Sequence, residues 1–305
     1  MERTTILRGS LHWAWRLGVC SLTYVVGTMI GGAVVSALGM QLPQIPEQAD
    51  ERTMGMCLMI GSLALAAGIA PLAKGLQGSF RRRWLILTGL CYVCLGINTP
   101  IEAAIFTNLG GMSAMAVFSI IPCGLLAAVV ALLFHPSGQA TAVVPPPRRF
   151  VPGHGSGRWA WRLTAAVCAF PVIYWVFGMM VGPFVLDYYR AGDFGLTLPG
   201  VGTIILVQLL RSALFLAAAL PVLMYSSGSR LALAWKLGLA FYVLVGLFGM
   251  IQSYWLAPIL RALHNVEILA DSMVYALTLS WLFAGAGRAR HEVSLTDPFL
   301  SLRHA

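Results

Sequence analysis

The chain is 305 residues long, 58% hydrophobic and only 10% charged, with a mean hydropathy of +0.80, a balance that excludes a soluble domain of this size. A net charge of +9 would suit nucleic acid, but its placement along the chain assigns it to orientation in a lipid bilayer and excludes nucleic acid as a partner. All six cysteines fall inside apolar stretches, which excludes a disulfide scaffold.

At about 20 apolar residues per crossing, eight spans are predicted, near 17–39, 54–73, 84–106, 110–134, 163–187, 201–224, 236–257 and 260–284. The first follows Arg3 and Arg8, as a signal peptide would. Its apolar run of about 23 residues exceeds the h-region of a signal peptide, so it reads as a retained span. Lys74 and Arg81 to Arg83 separate the second span from the third and serve as a topology determinant. In the third span, Cys91 and Cys94 read as small packing residues. Thr99-Pro-Ile-Glu102 matches a capping box with proline at its first helical position, which predicts a helix break there and makes Glu102 an N-terminal carboxylate.

Residues 1–135 thus form a first unit of four spans, and 136–158 a Pro- and Gly-rich cytoplasmic linker in which His154 is a solvated residue. A second unit, 159–287, repeats the first. WAWRL at Trp13–Leu17 returns at Trp159–Leu163, and GTMIGGAVV at Gly27–Val35 returns as GMMVGPFVL at Gly178–Leu186. Ser62 and Pro71 match Ser212 and Pro221, and Tyr92, Val93 and Gly96 match Tyr242, Val243 and Gly246. One order and offsets of 146 rising to 151 mark a duplication. Four spans is an even number, so the copies enter from the same side and the repeat is parallel.

Sixteen of the twenty lysines and arginines then share one face, which places both termini, including the short tail 288–305, in the cytoplasm of a bacterial-type inner membrane. The fold class expected is an all-α integral membrane protein, eight transmembrane helices in two tandem parallel four-helix repeats. The loop Asp187-Tyr-Tyr-Arg190 reads as part of an interfacial aromatic belt.

Charge inside the spans carries the functional signal. The sixth span holds Gln208 and Arg211, and the eighth holds Arg261, His264, Glu267, Asp271, Tyr275 and Thr278. Stepping 100° per residue from Arg261, the others fall between 240° and 320°, one polar stripe about 120° wide. Arg211 and Asp271 lie at similar depths, so they are expected to face each other, with Gln208 beside Glu267 or His264. Each charged position of the stripe aligns with an apolar residue of the first unit: Met112, Met115, Phe118 and Pro122. Arg211 aligns with Gly61.

Three uses of such a stripe can be separated. Arg211 and Arg261 could anchor a small anionic solute, with Asp271 as the counter-charge of Arg211. His264, Glu267 and Asp271 could relay protons to couple its movement. The same three could ligate a metal, although no second histidine motif accompanies them, so neither a metal nor a cofactor is expected. The leading expectation is a small-molecule binding or transport protein with an outward-facing polar cavity in the second repeat. The alternatives are a lipid-modifying or intramembrane enzyme using His264 and Glu267 as acid and base, and a non-catalytic membrane subunit held together by charged pairs. The chain contains no P-loop, GxSxG or HExxH motif.

Overall fold

The computed structural model describes residues 2–43, 49–136 and 156–283, with side chains from residue 11 in the first segment and from 157 in the third. Residues 137–155 of the expected linker, with His154, and the C-terminal tail lie outside the described residues, while 156–158 form the start of a helix. Among the described residues eight helices are long and apolar enough to cross a membrane. They are α1 (Glu2–Ala37), α2 (Glu51–Ala73), α3 (Phe80–Phe106), α4 (Met112–Leu133), α5 (Ser156–Ala191), α6 (Val201–Tyr225), α7 (Arg230–Gln252) and α8 (Pro258–Phe283). No named strand occurs among the described residues. Large apolar side chains such as Met29, Leu206, Val266 and Trp281 are about two-thirds exposed or more on the outer faces, a surface suited to lipid and not to water.

Helix starts follow their local chemistry. Asp50 accepts a hydrogen bond from the Thr53 amide at 2.8 Å and opens α2. Ser79 and Ser229 open α3 and α7 in the same way, accepting from the Arg82 and Ala232 amides. Each serine follows a glycine with positive φ, +108° at Gly78 and +121° at Gly228, a backbone that L side chains rarely adopt.

The first four helices pack as α1 on α4 and α2, with α3 on α4; the last four pack as α5 on α8 and α6, with α7 on α8. The two groups meet where α2 lies on α7 and α6 on α3. At one end the loops before α3 and α7 are stitched together: the Gln77 amide donates to the Tyr225 carbonyl, and the Ser227 amide to the Gly75 carbonyl, both at 2.8 Å. At the other end Asn108 N–H donates to Gly195 O and Thr197 N–H to Phe106 O, both at 2.9 Å.

The break expected at Thr99 is absent. Asn98 has helical φ and ψ of −64° and −42°, so α3 runs on through a π-helical stretch, Tyr92–Asn98. Pro100 has no N–H and its ring would strike the carbonyl four residues back, and the wider turn before it relieves that conflict. The carbonyl of Cys94 receives both the amide and the hydroxyl of Thr99, the latter at 3.1 Å. That hydroxyl is therefore not a cap. A second π-helical stretch, Val243–Leu247, interrupts α7.

Candidate functional site

A cavity of about 260 Å³ lies between α3 and the helices α5 to α8. It is displaced toward the end that carries Thr107, Leu196, Ser253 and Leu256. Volume of this order is near the lower end of small-molecule pockets, roughly 300–1,000 Å³. Its polar lining comprises Glu102, Arg211, His264, Glu267 and Asp271, with Tyr174, Tyr189, Tyr275, two threonines and two serines.

Arg211 is 1% exposed, which leaves a permanent cation deep in an apolar bundle and makes a partner close to obligatory. That partner is Glu102. The guanidinium donates from Nη1 to Oε1 at 2.5 Å and from Nη2 to Oε2 at 2.7 Å, a bidentate fork, and Nη1 also donates to Gln208 Oε1 at 3.0 Å. The expected facing of Arg211 and Asp271 is thus corrected. Both border one cavity, but the ion pair of Arg211 runs across the seam between the two helix groups. Its ring neighbours are Phe170 and Phe215, whose centroids lie 5.8 and 5.6 Å from the guanidinium carbon.

Along α8 the stripe divides. His264 Nδ1 lies 2.8 Å from Glu267 Oε2, and its Nε2 lies 3.1 Å from the Tyr189 hydroxyl. The side chain of His264 is 19% exposed and that of Glu267 only 8%, so the histidine sits nearer the mouth. Gly178 of α5 faces Glu267, where a Cβ would lie 3.4 Å from Oε1, an ordinary contact. One turn further along, Asp271 is 5% exposed and its Oδ1 finds no hydrogen-bond donor. Tyr275 is buried against Ser212 of α6, its hydroxyl 3.2 Å from the serine Oγ.

Not every residue of the stripe belongs to the site. Arg261 and Gln208 do not border the cavity; Gln208 is fully buried behind Arg211, and Arg261 offers its carbonyl to Asn265. Thr278 turns its hydroxyl back to the Val274 carbonyl at 2.9 Å. The anion anchor expected from Arg211 and Arg261 is therefore not assembled: both Nη atoms of the first are held by Glu102 and Gln208, and the second does not border the cavity. Among the described residues no group of three or more His, Cys, Asp or Glu side chains is arranged to hold a metal ion.

Sequence reasoning missed Glu102 and Tyr189 as parts of the site. Glu102 was masked by its resemblance to a capping residue, and Tyr189 by its place in a presumed aromatic belt; it points inward, T-shaped to His264 with 6.2 Å between ring centroids. A signal for Glu102 did exist. The offset of 150 between Tyr92 and Tyr242 carries Glu102 onto Gln252, just as it carries Arg211 onto Gly61 when read backward. The structure places that second couple together too: a Cβ on Gly61 would lie 3.1 Å from Gln252 Nε2.

No family model matches the chain, and neither curated proteins nor solved structures give a significant match to it.

Proposed function

We propose that the chain is a multi-pass membrane protein that binds a small solute in this cavity and moves it across the bilayer. The observation carrying this reading is the cavity itself. It collects five ionisable side chains at membrane depth, where an isolated charge costs at least about 2.5–3.5 kcal/mol even on lenient scales. Holding helices together needs one pair, and Arg211 with Glu102 provides it. His264, Glu267 and Asp271 remain, and a bundle with no use for them would replace them by apolar residues.

The architecture in this proposal is two parallel four-helix repeats. Four features support it: the reciprocal packing of α2 on α7 and α6 on α3, the two π-helical stretches, the two glycine-serine helix starts, and the couples Arg211–Glu102 and Gly61–Gln252 at equivalent places. The end carrying Arg16, Lys74, Arg81 to Arg83, Arg162, Arg230 and Lys236 is cytoplasmic by the positive-inside rule, in a membrane of the bacterial inner type. The cavity, displaced toward the opposite end, then opens outward. The chain of contacts from Tyr189 through His264 to Glu267 favours proton coupling, because both nitrogens of the imidazole are engaged and a proton taken up at one can be matched by one given up at the other.

Cysteine accessibility tests the reading. With Cys57 and Cys168 replaced by serine, Ser253→Cys and Ser272→Cys should react with a membrane-impermeant maleimide applied from outside intact spheroplasts, the deeper site more slowly. If both stay inert from either face, there is no solute pathway at this cavity.

A further inference from the structure

The charges and walls of the cavity are matched to one chemical class. Three carboxylates, Glu102, Glu267 and Asp271, border it against a single guanidinium. Glu102 and Arg211 neutralise each other. His264 occupies one oxygen of Glu267, and Tyr189 occupies the far side of the imidazole. Asp271 is left over: 95% buried by its 5% exposure, bordering the cavity, with an oxygen that accepts from nothing in the protein. A buried acceptor without a donor costs about 1–3 kcal/mol, more for a carboxylate, so it marks a place where something else brings a donor.

Much of the wall of the same cavity is built from rings. Phe170, Phe215, Phe241 and Tyr275 form a contiguous cluster with centroids 5.0 to 6.4 Å apart, and Phe106 and Tyr189 close the outer part, 6.0 Å apart. Aromatic faces attract cations, most strongly when water is excluded. Two of these rings already flank the guanidinium of Arg211. An inorganic cation would ask for several oxygens converging on one point, and among the described residues no group of three or more His, Cys, Asp or Glu side chains is so arranged. An anion would meet surplus negative charge.

Resting on the reading of the cavity as a solute site, we propose that it binds a small protonated amine. The ammonium donates an N–H to Asp271, and the carbon frame lies against the aromatic wall. The orphaned acceptor selects an amine with at least one N–H over a quaternary ammonium, and a volume of about 260 Å³ limits the ligand to a compact molecule.

The test uses the full chain purified in detergent, carrying Ser272→Cys with Cys57 and Cys168 replaced by serine. Labelling rates are measured with 2-aminoethyl methanethiosulfonate and 2-sulfonatoethyl methanethiosulfonate, each divided by its rate with a free thiol in solution. The ammonium reagent should be at least tenfold faster after this correction. Millimolar n-butylammonium should slow labelling several-fold, whereas butyrate and tetramethylammonium should not. Asp271→Asn should abolish both the preference and the protection; the protection measurement needs no charge variant and decides the matter even where that variant does not fold. Equal or faster labelling by the sulfonate, or a preference unchanged in Asp271→Asn, overturns the proposal. Protection by tetramethylammonium equal to that by n-butylammonium overturns the N–H assignment. Inertness to both reagents at Ser272→Cys and Ser253→Cys sinks the underlying solute-site reading instead.

Discussion

Replacing Glu102 by glutamine strips the negative half of a bidentate pair and leaves the guanidinium of Arg211, 1% exposed, with Gln208 as its remaining strong acceptor. Removing one partner of a buried ion pair costs about 3–5 kcal/mol, and the retained amide oxygens put the expected loss near 3 kcal/mol. Scaling an unfolding entropy of roughly 2.1 cal/mol/K per residue over 305 residues converts this to a fall of about 5 °C in Tm. Arg211→Met alone should cost less, about 1–2 kcal/mol, because the Glu102 side chain is 26% exposed and can draw water from the cavity. The double variant removes both charges, keeps most of the volume and should melt near Arg211→Met. The cycle then yields a coupling of about 2–3 kcal/mol, read from thermal or denaturant unfolding in detergent. A coupling within about 0.5 kcal/mol of zero would refute the pairing. As a control, exchanging Arg211 and Asp271 should rescue nothing, since no ion pair joins them.

Asp271→Asn should leave Tm unchanged or raise it, because it removes an unsatisfied buried charge; a drop of 5 °C would reveal a structural partner. Gly96→Ala should destabilise by about 1–3 kcal/mol, its Cβ falling 2.7 Å from Tyr92 Cδ2 and 2.8 Å from Ser119 Cβ. Gly89→Ala, into open space on the same helix, should be neutral or gain about 0.4–1 kcal/mol; equal effects at both sites would refute the close contact of α3 with α4. At the start of α2, hydrogen bonds from Thr53 hold the carboxyl of Asp50 below its usual range. A depressed folded value stabilises above the unfolded pKa of about 3.9 and is lost as pH falls through the folded one. Protection of the Thr53 amide against hydrogen exchange should therefore decline on acidification below about pH 4, and Asp50→Asn should flatten that profile.

The membrane-spanning helices were legible because apolar length is a one-dimensional property, and all eight overlap the expected segments. The stripe on α8 was legible for a similar reason, since helical periodicity alone puts His264, Glu267 and Asp271 on one face. Who meets whom across helices was not. Depth counted from helix ends made Asp271 the natural partner of Arg211, but that count compared only helices of the second half. The carboxylate that arrives belongs to α3, carried there by the packing of α6 on α3. Glu102 was hidden further because Thr99-Pro100 imitates a helix start, and sequence does not distinguish a capped beginning from a π-helical stretch that accommodates proline. Arg261 and Thr278 show the reverse error. Both satisfy the periodic pattern, but the cavity lining on α8 runs from Leu260 to Tyr275 without Arg261, and Thr278 lies beyond its end.

Among the described residues the two helix groups are joined by the packing of α2 on α7 and α6 on α3, the paired backbones at Gly75–Gln77 and Tyr225–Ser227, the second pair at Phe106–Asn108 and Gly195–Thr197, and the fork between Glu102 and Arg211. These contacts run between helices that a cut between residues 136 and 156 would leave intact, and a covalent connection raises the local concentration of one half around the other. Two polypeptides made separately, cut within that stretch and co-expressed, should find each other in the bilayer and copurify. A shuffled pair carrying Glu102→Arg in one fragment should not, unless the other carries Arg211→Glu.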